Sequence, residues 1–269
     1  MAPLVQAVLA NQEHPEYGVA TIPFPIPNEE YDHCVELLSA LEIGDPVHRD
    51  CQVMEISSSF PVLKRMEMLT VNLDELDYLA KRLDSFDVGE AAQFQAMAEK
   101  LDLRDMTDFI NLTFCCQQAT VITDFSDLEA IGRDHYMNLH GGCARTEELD
   151  ALDGYETALL LIEGGGGTVT PYGVVYDNGM RLSSIYDGRH LPEFFYEDCA
   201  ASVTLSVIGK PEQQETLYFP CAESKIARAV RRLGADRPEQ CIAVLDTAEL
   251  SDAVRSVFER EYPLNEHLA

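Results

Sequence analysis

Basic residues are scarce in this chain. Nineteen lysines and arginines stand against 47 aspartates and glutamates, a formal net charge of −28 over 269 residues. A surface of that sign repels nucleic acid and anionic membrane, so neither is a direct partner over most of it. A basic partner, or plain solubility, is what remains. The opening MAPLVQAVLANQ has no basic segment and only a short apolar run, so it is not a secretory signal. No uninterrupted apolar run approaches the length of a membrane span. The eight cysteines (Cys34, Cys51, Cys115, Cys116, Cys143, Cys199, Cys221 and Cys241) show no CxxC and no Cys/His ligand spacing. Irregular spacing among apolar residues is how reduced, buried thiols look, so the expectation is a cytoplasmic protein with unbridged, metal-free cysteines.

Motifs of catalysis are missing too. Cys115-Cys116 with His135 or His140 makes a conceivable thiol–imidazole pair, but no nucleophile motif surrounds either cysteine. His135 and His140 are five apart, off the spacing of a helical metal pair, and His135 reads as a packed core histidine. Gly164–Gly167 lack the Lys-Ser/Thr of a phosphate loop and the spaced glycines of a dinucleotide fold, and read as a turn. Gly188-Arg189-His190 reads as a surface turn. No pair of carboxylates is singled out for acid–base work. The expectation is therefore no enzyme, no cofactor and no metal.

Apolar residues are plentiful at 46%, enough for a sizeable core in two domains or one large one. The chain is organised around residues 69–139. Leu73, Leu76, Ala80 and Leu83 mark one face of a helix, and Phe94, Met97, Ala98 and Leu101 mark another. Beside these stripes run Asp74, Asp77, Asp84, Asp87, Glu90, Glu99, Asp102, Asp105 and Asp108, followed by Asp124, Asp127, Glu129 and Asp134. Residues 72–156 hold 19 acids and 6 bases, whereas 202–269 hold 11 and 8. A solvated face explains one such helix. Repeated like charges three apart disfavour a helix by a few tenths of a kcal/mol per pair, which suggests that the charge is used.

Around this centre, Leu4–Leu9 and Val19–Phe24 read as strands, and a helix from about Asn28 carries Tyr31, Cys34, Val35 and Leu38 on one face. Cys51–Ile56 returns as a strand. A short helix holds Met106, Phe109 and Ile110, and Ala119–Thr123 reads as a strand. Ser126-Asp127-Leu128-Glu129 is a capping box for a helix with Leu128, Ile131, His135 and Leu139 inward. Residues 158–209 read as β-rich: Ala158–Ile162 leads into the glycines, and Tyr172–Tyr176 joins Met180–Tyr186 in a hairpin through Asp177-Asn178-Gly179. The last part repeats the first. Thr216–Pro220 parallels Thr21–Pro25, and Ile226, Ala229, Val230 and Leu233 parallel the first helix's inner face. Ile242–Leu245 returns as a strand, and Leu264–Ala269 echoes Leu73–Ala80. Residues 19–56 and 216–246 should therefore share one strand–helix–strand fold.

These features predict an α+β fold: small antiparallel-sheet and helix units flanking an acidic helical middle, in an elongated multi-domain arrangement. The boundaries are residues 1–68, 69–156 and 157–269.

Leu9-Ala10-Asn11, the loop to Tyr17-Gly18, Phe24-Pro25 and the helix after them resemble the opening of ArdA-type antirestriction proteins. Leu73–Leu76 and the run from Phe109 to Tyr136 extend the resemblance over residues 4–139, and weakly over 202–269 through the repeat. After Leu139 the chain departs from the family's pattern, which has a short, tyrosine-rich C-terminal segment. The resemblance implies an acidic, elongated, dimeric mimic of bent DNA, borne on mobile elements, that occupies the DNA groove of a type I restriction–modification enzyme. Carboxylates every three or four residues of a helix lie about 4.5–6 Å apart along its axis. Two or three such helices side by side approach the charge density of a duplex, about one per 1.7 Å. The thirteen acids named above form the expected partner-binding surface. On this reading Asp74, Asp77, Asp84 and Asp87 all face solvent, and replacing the four by Asn leaves the fold intact. The alternative is an acidic interaction or regulatory module with a different basic partner.

Overall fold

The computed structural model describes residues 3–196 and 199–246. In chain order the elements are β1 (Val5–Asn11), β2 (Val19–Phe24), α1 (Tyr31–Ala40), β3 (Cys51–Ser58), β4 (Thr70–Val71) and α2 (Leu73–Asp84). Then come α3 (Val88–Lys100), α4 (Met106–Leu112), β5 (Thr120–Ile122), α5 (Leu128–Leu139), α6 (Thr146–Ala151) and α7 (Gly154–Gly164). The last are β6 (Thr168–Thr170), β7 (Gly173–Tyr176), β8 (Ala201–Val207), β9 (Lys210–Phe219), α8 (Glu223–Arg232) and β10 (Cys241–Asp246). The fold is α+β. Its units are not the three consecutive stretches expected at 1–68, 69–156 and 157–269. One compact unit combines residues 1–57, 67–81 and 186–269; the other combines 58–66 and 82–185. The division falls inside α2, and the first unit is assembled from both ends of the chain.

The first unit contains the repeat. In its amino-terminal sheet the order is β2-β1-β3-β4, with β1 and β2 antiparallel from Val5↔Phe24 to Ala10↔Val19. Val5, Ala7 and Leu9 alternate inward along β1, as a half-buried strand requires. In the carboxy-terminal sheet the order is β10-β8-β9, with β8 and β9 antiparallel from Ala201↔Phe219. Strand for strand, β2-β1-β3 and β9-β8-β10 match, and each second strand ends at a Phe-Pro with a cis bond and leads into a helix. Residues 19–56 and 216–246 thus share the expected strand–helix–strand order. Val203, Leu205 and Leu217 of the second sheet pack with Ala229, Val230 and Leu233 of α8. The echo at Leu264–Ala269 lies outside the described residues.

The two copies join at their helices. Asn28 does not cap α1, which begins behind a short 3-10 turn without a side-chain cap. Its carboxamide instead donates to Pro220 O at 3.1 Å and accepts from Ala222 N at 3.0 Å. Asp32, in the first turn of α1, accepts from Ser224 N at 3.0 Å and also from the Ser224 hydroxyl. Ala222, the residue before α8, offers the helix no side-chain cap. Asp32 of the first copy supplies that cap, and the Ser224 contacts hold its carboxyl below its usual range.

In the second unit Phe94 of α3 is fully buried and meets Phe60, Phe86 and Phe109 at ring-centroid distances of 6.1, 6.0 and 6.1 Å. Two expectations for this unit fail. Ala158–Ile162 is not a strand but lies in α7, where Asp153 caps the helix by accepting from Glu156 N at 2.8 Å. Leucine and alanine are strong helix formers, and only Ile162 of that run is β-branched. Nor do Tyr172–Tyr176 and Met180–Tyr186 form a hairpin. Asn178 and Gly179 do adopt the positive φ angles of the turn, 54° and 76°. However, β7 already has β5 on one edge and β6 on the other, which leaves no edge for residues 180–186. The Asn178 carboxamide is tied back to Gln118 O and Thr120 Oγ1 at 2.8 and 2.9 Å. The capping box at 126–129 is shifted by one residue: Asp127 caps α5, accepting from Ala130 N at 2.9 Å, and Leu139 is 53% exposed.

Helices α5 and α7 approach through glycine. A Cβ on Gly132 would lie 1.8 Å from Gly154 O, and one on Gly154 would lie 2.4 Å from Glu129 O. Backbone stands on the far side of each contact, so neither can be relieved by a rotamer change. Gly132→Ala or Gly154→Ala should each cost about 1–3 kcal/mol or more in denaturant unfolding. Gly164→Ala, with open space at its Cβ, should cost far less.

Candidate functional site

The thirteen acids expected on one surface fall into two groups. Asp74 and Asp77 belong to the first unit, and the other eleven to the second. The expected solvent face of α2 does not exist in its first half. Asp74, Glu75 and Asp77 are 7%, 4% and 5% exposed, with Leu73, Leu76, Tyr78, Leu79 and Ala80 buried beside them. This half of the helix is enclosed on every side, so its carboxylates must find partners within the protein.

Each finds a different one. Asp74 accepts from Arg228 Nε at 2.9 Å, from Arg232 Nη1 and from the Tyr31 hydroxyl. Arg232 continues to Glu215 through two bonds of 2.7 Å, and Arg228 donates to Gly44 O at 2.6 Å. Glu75 takes a two-pronged contact from Arg49, with both bonds at 2.7 Å, and a bond from the Tyr186 hydroxyl at 2.7 Å. Asp77 accepts the Ile26 amide at 2.7 Å and pairs with Lys81 at 2.9 Å. Asn72 caps the helix, accepting from Asp74 N at 2.8 Å, and its amide donates to Asp45 O and His48 O. Burial pushes the Asp74 carboxyl up, but the Arg232 and Arg228 guanidiniums overcome this and hold it below its ordinary value. Burial, with Asp74 beside it, pushes the Tyr31 phenol well up, so that it serves as a donor.

None of these ionic partners was legible as a site in the sequence. The available signal was the pair Arg228 and Arg232, four apart and flanking the apolar Ala229, Val230 and Leu233 in a base-poor chain. Two bases on the inward side of such a helix imply buried acids opposite them.

Eight of the eleven acids of the second unit serve local structure. Asp87 caps α3 in a reciprocal box with Glu90, at 2.8 and 3.0 Å. Asp105 caps α4 and Asp127 caps α5. Glu99 and Asp102 share Arg65, which holds Asp102 below its usual range. Asp124 accepts from the amide and hydroxyl of Ser126, both at 2.9 Å. Glu129 accepts from Tyr155 N at 2.9 Å and pairs with Arg133. Asp84, Asp87, Asp102, Asp105, Asp124, Asp127, Glu129 and Asp134 are exposed; Glu90, Glu99 and Asp108 are half-buried. Desolvation first, and then the Asp127 carboxylate, push the Asp134 carboxyl up. The unit carries 18 acids and 8 bases.

The remaining candidates are not brought into a reactive arrangement. Cys115 and Cys116 are buried, and burial raises both thiols, the opposite of what a nucleophile requires. His135 bonds Thr120 Oγ1 through Nδ1 at 2.9 Å, and burial lowers its basicity. All eight cysteines are free. Among the described residues no His/Cys/Asp/Glu group is placed to hold a metal, and no helix is long and apolar enough to cross a membrane. No family model, curated protein or solved structure matches the chain.

The buried acids reverse the expected tolerance of α2. Asp74→Asn leaves two buried guanidiniums short of charge and should cost about 3–5 kcal/mol in denaturant unfolding. Asp87→Asn keeps an equally good cap and should change stability by a few tenths of a kcal/mol. Because the folded state holds Asp74 below its unfolded value of about 3.9, its contribution is complete at neutral pH. It should be lost as pH falls below about 4, in a melt followed by circular dichroism.

Proposed function

We propose that the second unit is the binding surface of a DNA-mimic antirestriction protein, acting in the cytoplasm, whose partner is the basic DNA channel of a type I restriction–modification enzyme. The observation that carries this reading is the exposure of eight of the thirteen expected acids within one compact unit. Capping supports it further. A carboxylate that caps a helix is held by backbone amides yet keeps its charge, so Asp87, Asp105 and Asp127 are fixed points of negative charge rather than mobile tails. Fixed charges lose little side-chain entropy on binding. The resemblance of residues 4–139 to the ArdA-type proteins points the same way. Asp74 and Asp77 take no part, since they are buried.

The second reading, an acidic module for another basic partner, is favoured by the share of charge already spent internally. Arg65 binds both Glu99 and Asp102, Arg133 binds Glu129, and Lys100 binds Asp177 at 2.6 Å.

Competition against duplex DNA for a type I enzyme separates the two. The combined variant Asp87→Asn, Asp105→Asn, Asp127→Asn keeps all three caps and removes three charges. It should bind roughly 1–3 kcal/mol more weakly, with each single change near zero, and the wild type should bind more weakly as salt rises. Full competition by the triple variant would reject this surface. Binding of basic proteins without competition by the wild type would leave the second reading.

A further inference from the structure

The first unit holds a cleft of about 160 Å³ with five rings around it, from Tyr31, Tyr78, Phe194, Tyr196 and Tyr218. An apolar cavity of about 150 Å³ accepts benzene, so one aromatic ring fits this volume. Tyr31 and Tyr78 are buried, and the ring surface open to a ligand belongs to the half-buried Phe194, Tyr196 and Tyr218. Phe194 meets Tyr196 at 6.2 Å and Tyr78 edge-on at 6.2 Å, so the segment before β8 lays its rings along the wall. The Tyr78 and Tyr218 hydroxyls are buried. These side chains offer a ligand ring carbon and no polar atom, which leaves selection to charge.

Most of that charge is met from within. Asp77 pairs with Lys81 at 2.9 Å, and Arg228 and Arg232 bind Asp74 and Glu215. Lys225 donates to Asn28 Oδ1 at 3.2 Å, lies over the Tyr31 ring at 4.6 Å and stands near the Asp32 carboxylate. Every charged side chain lining the cleft thus has an opposite charge at hand, except Glu193. That residue is exposed on the wall and makes no hydrogen bond or ion pair among the described residues. Burial first, and then the Glu193 charge, push the Tyr218 phenol up to about 12, so the carboxylate stands beside the ring wall. The charge in excess is negative, in a chain of net −28 whose field already draws cations.

We infer that this cleft binds a protonated arylalkylamine, with its one ring against Phe194, Tyr196 and Tyr218 and its ammonium group, on a short arm, at Glu193. The rings supply apolar contact and the single carboxylate fixes orientation, the usual division of labour in a small-molecule site. An anionic ring compound meets Glu193 as a like charge. Cys221 also lines the cleft, and burial pushes its thiol to about 11, so it acts as an apolar wall and not as a nucleophile.

The test uses the full chain with phenethylamine, phenylpropionate, phenylethanol and butylamine, read by saturation-transfer NMR and calorimetry. Phenethylamine should bind saturably, and more tightly than the other three. Glu193→Gln should weaken it roughly two- to fivefold, the worth of an exposed ion pair, and leave phenylethanol unchanged. Glu193→Lys should invert the order of phenethylamine and phenylpropionate. Cys221→Phe, with its fold checked by circular dichroism, should abolish binding by filling the space. The inference is overturned by no saturable phenethylamine binding, or by equal or tighter binding of any of the other three. It is overturned equally by unchanged affinity in Glu193→Gln, by the original order in Glu193→Lys, or by full binding in folded Cys221→Phe. Butylamine binding as tightly, in particular, would mean attraction to an acidic surface with no ring site. The proposed binding of a restriction enzyme stands or falls separately, since no residue of the cleft belongs to the second unit.

Discussion

Asp74 is the constraint on which the first unit turns. It sits one residue into α2, yet its carboxylate touches α1 through Tyr31 and α8 through Arg228 and Arg232. Three elements from widely separated parts of the chain thus meet on one side chain. The cluster of two carboxylates, two guanidiniums and a phenol is buried as a neutral whole. A buried ion pair contributes little net stability against an apolar replacement, because desolvation consumes most of the attraction. Breaking one partner is another matter, since it strands the rest. The cluster therefore acts less as a source of stability than as a penalty on any arrangement that leaves α8 away from α2. It is reinforced by Asp32, which caps the α8 helix from the other copy of the repeat.

That arrangement explains what could be read in the sequence and what could not. Strands β1 and β2, helix α1 and the repeat were legible because local signals fixed them: alternation, a Phe-Pro stop and a 3.6-residue apolar face. The Asn-Gly turn at 178–179 was legible as a turn. The pairing it implied was not, because pairing depends on which edges of β7 remain open. Likewise Ala158–Ile162 is a short apolar run, for which periodicity alone does not separate strand from helix.

The candidate surface was misread at one point for a related reason. Acids at 74, 75 and 77 carry the same signal whether they face water or a partner inside the protein, and for Asp74 the deciding arginines lie more than 150 positions away. Even so, eight of the thirteen acids do lie exposed, all in the second unit. Their spacing has a local cause that the charge argument overlooked. Asp87, Asp105 and Asp127 each stand at a helix start, where an aspartate is favoured whatever the protein does. Part of the acidic density is thus the cost of building short helices with short connections.

Internal pairing also changes how the net charge should be understood. Asp74, Glu75, Asp77 and Glu215 are buried and are matched by the buried Arg228 and Arg232 and by the half-buried Arg49 and Lys81. Equal numbers are withdrawn, so the total of −28 is unaffected. The bases, however, are the scarcer kind, and the chain spends four of its 19 in this way. What remains outside is more uniformly negative than the composition suggests. Solubility calls for interspersed charges with a net charge away from zero, and added acids serve it better than added bases. The bias is shared by both compact units, which carry 29 acids to 11 bases and 18 to 8.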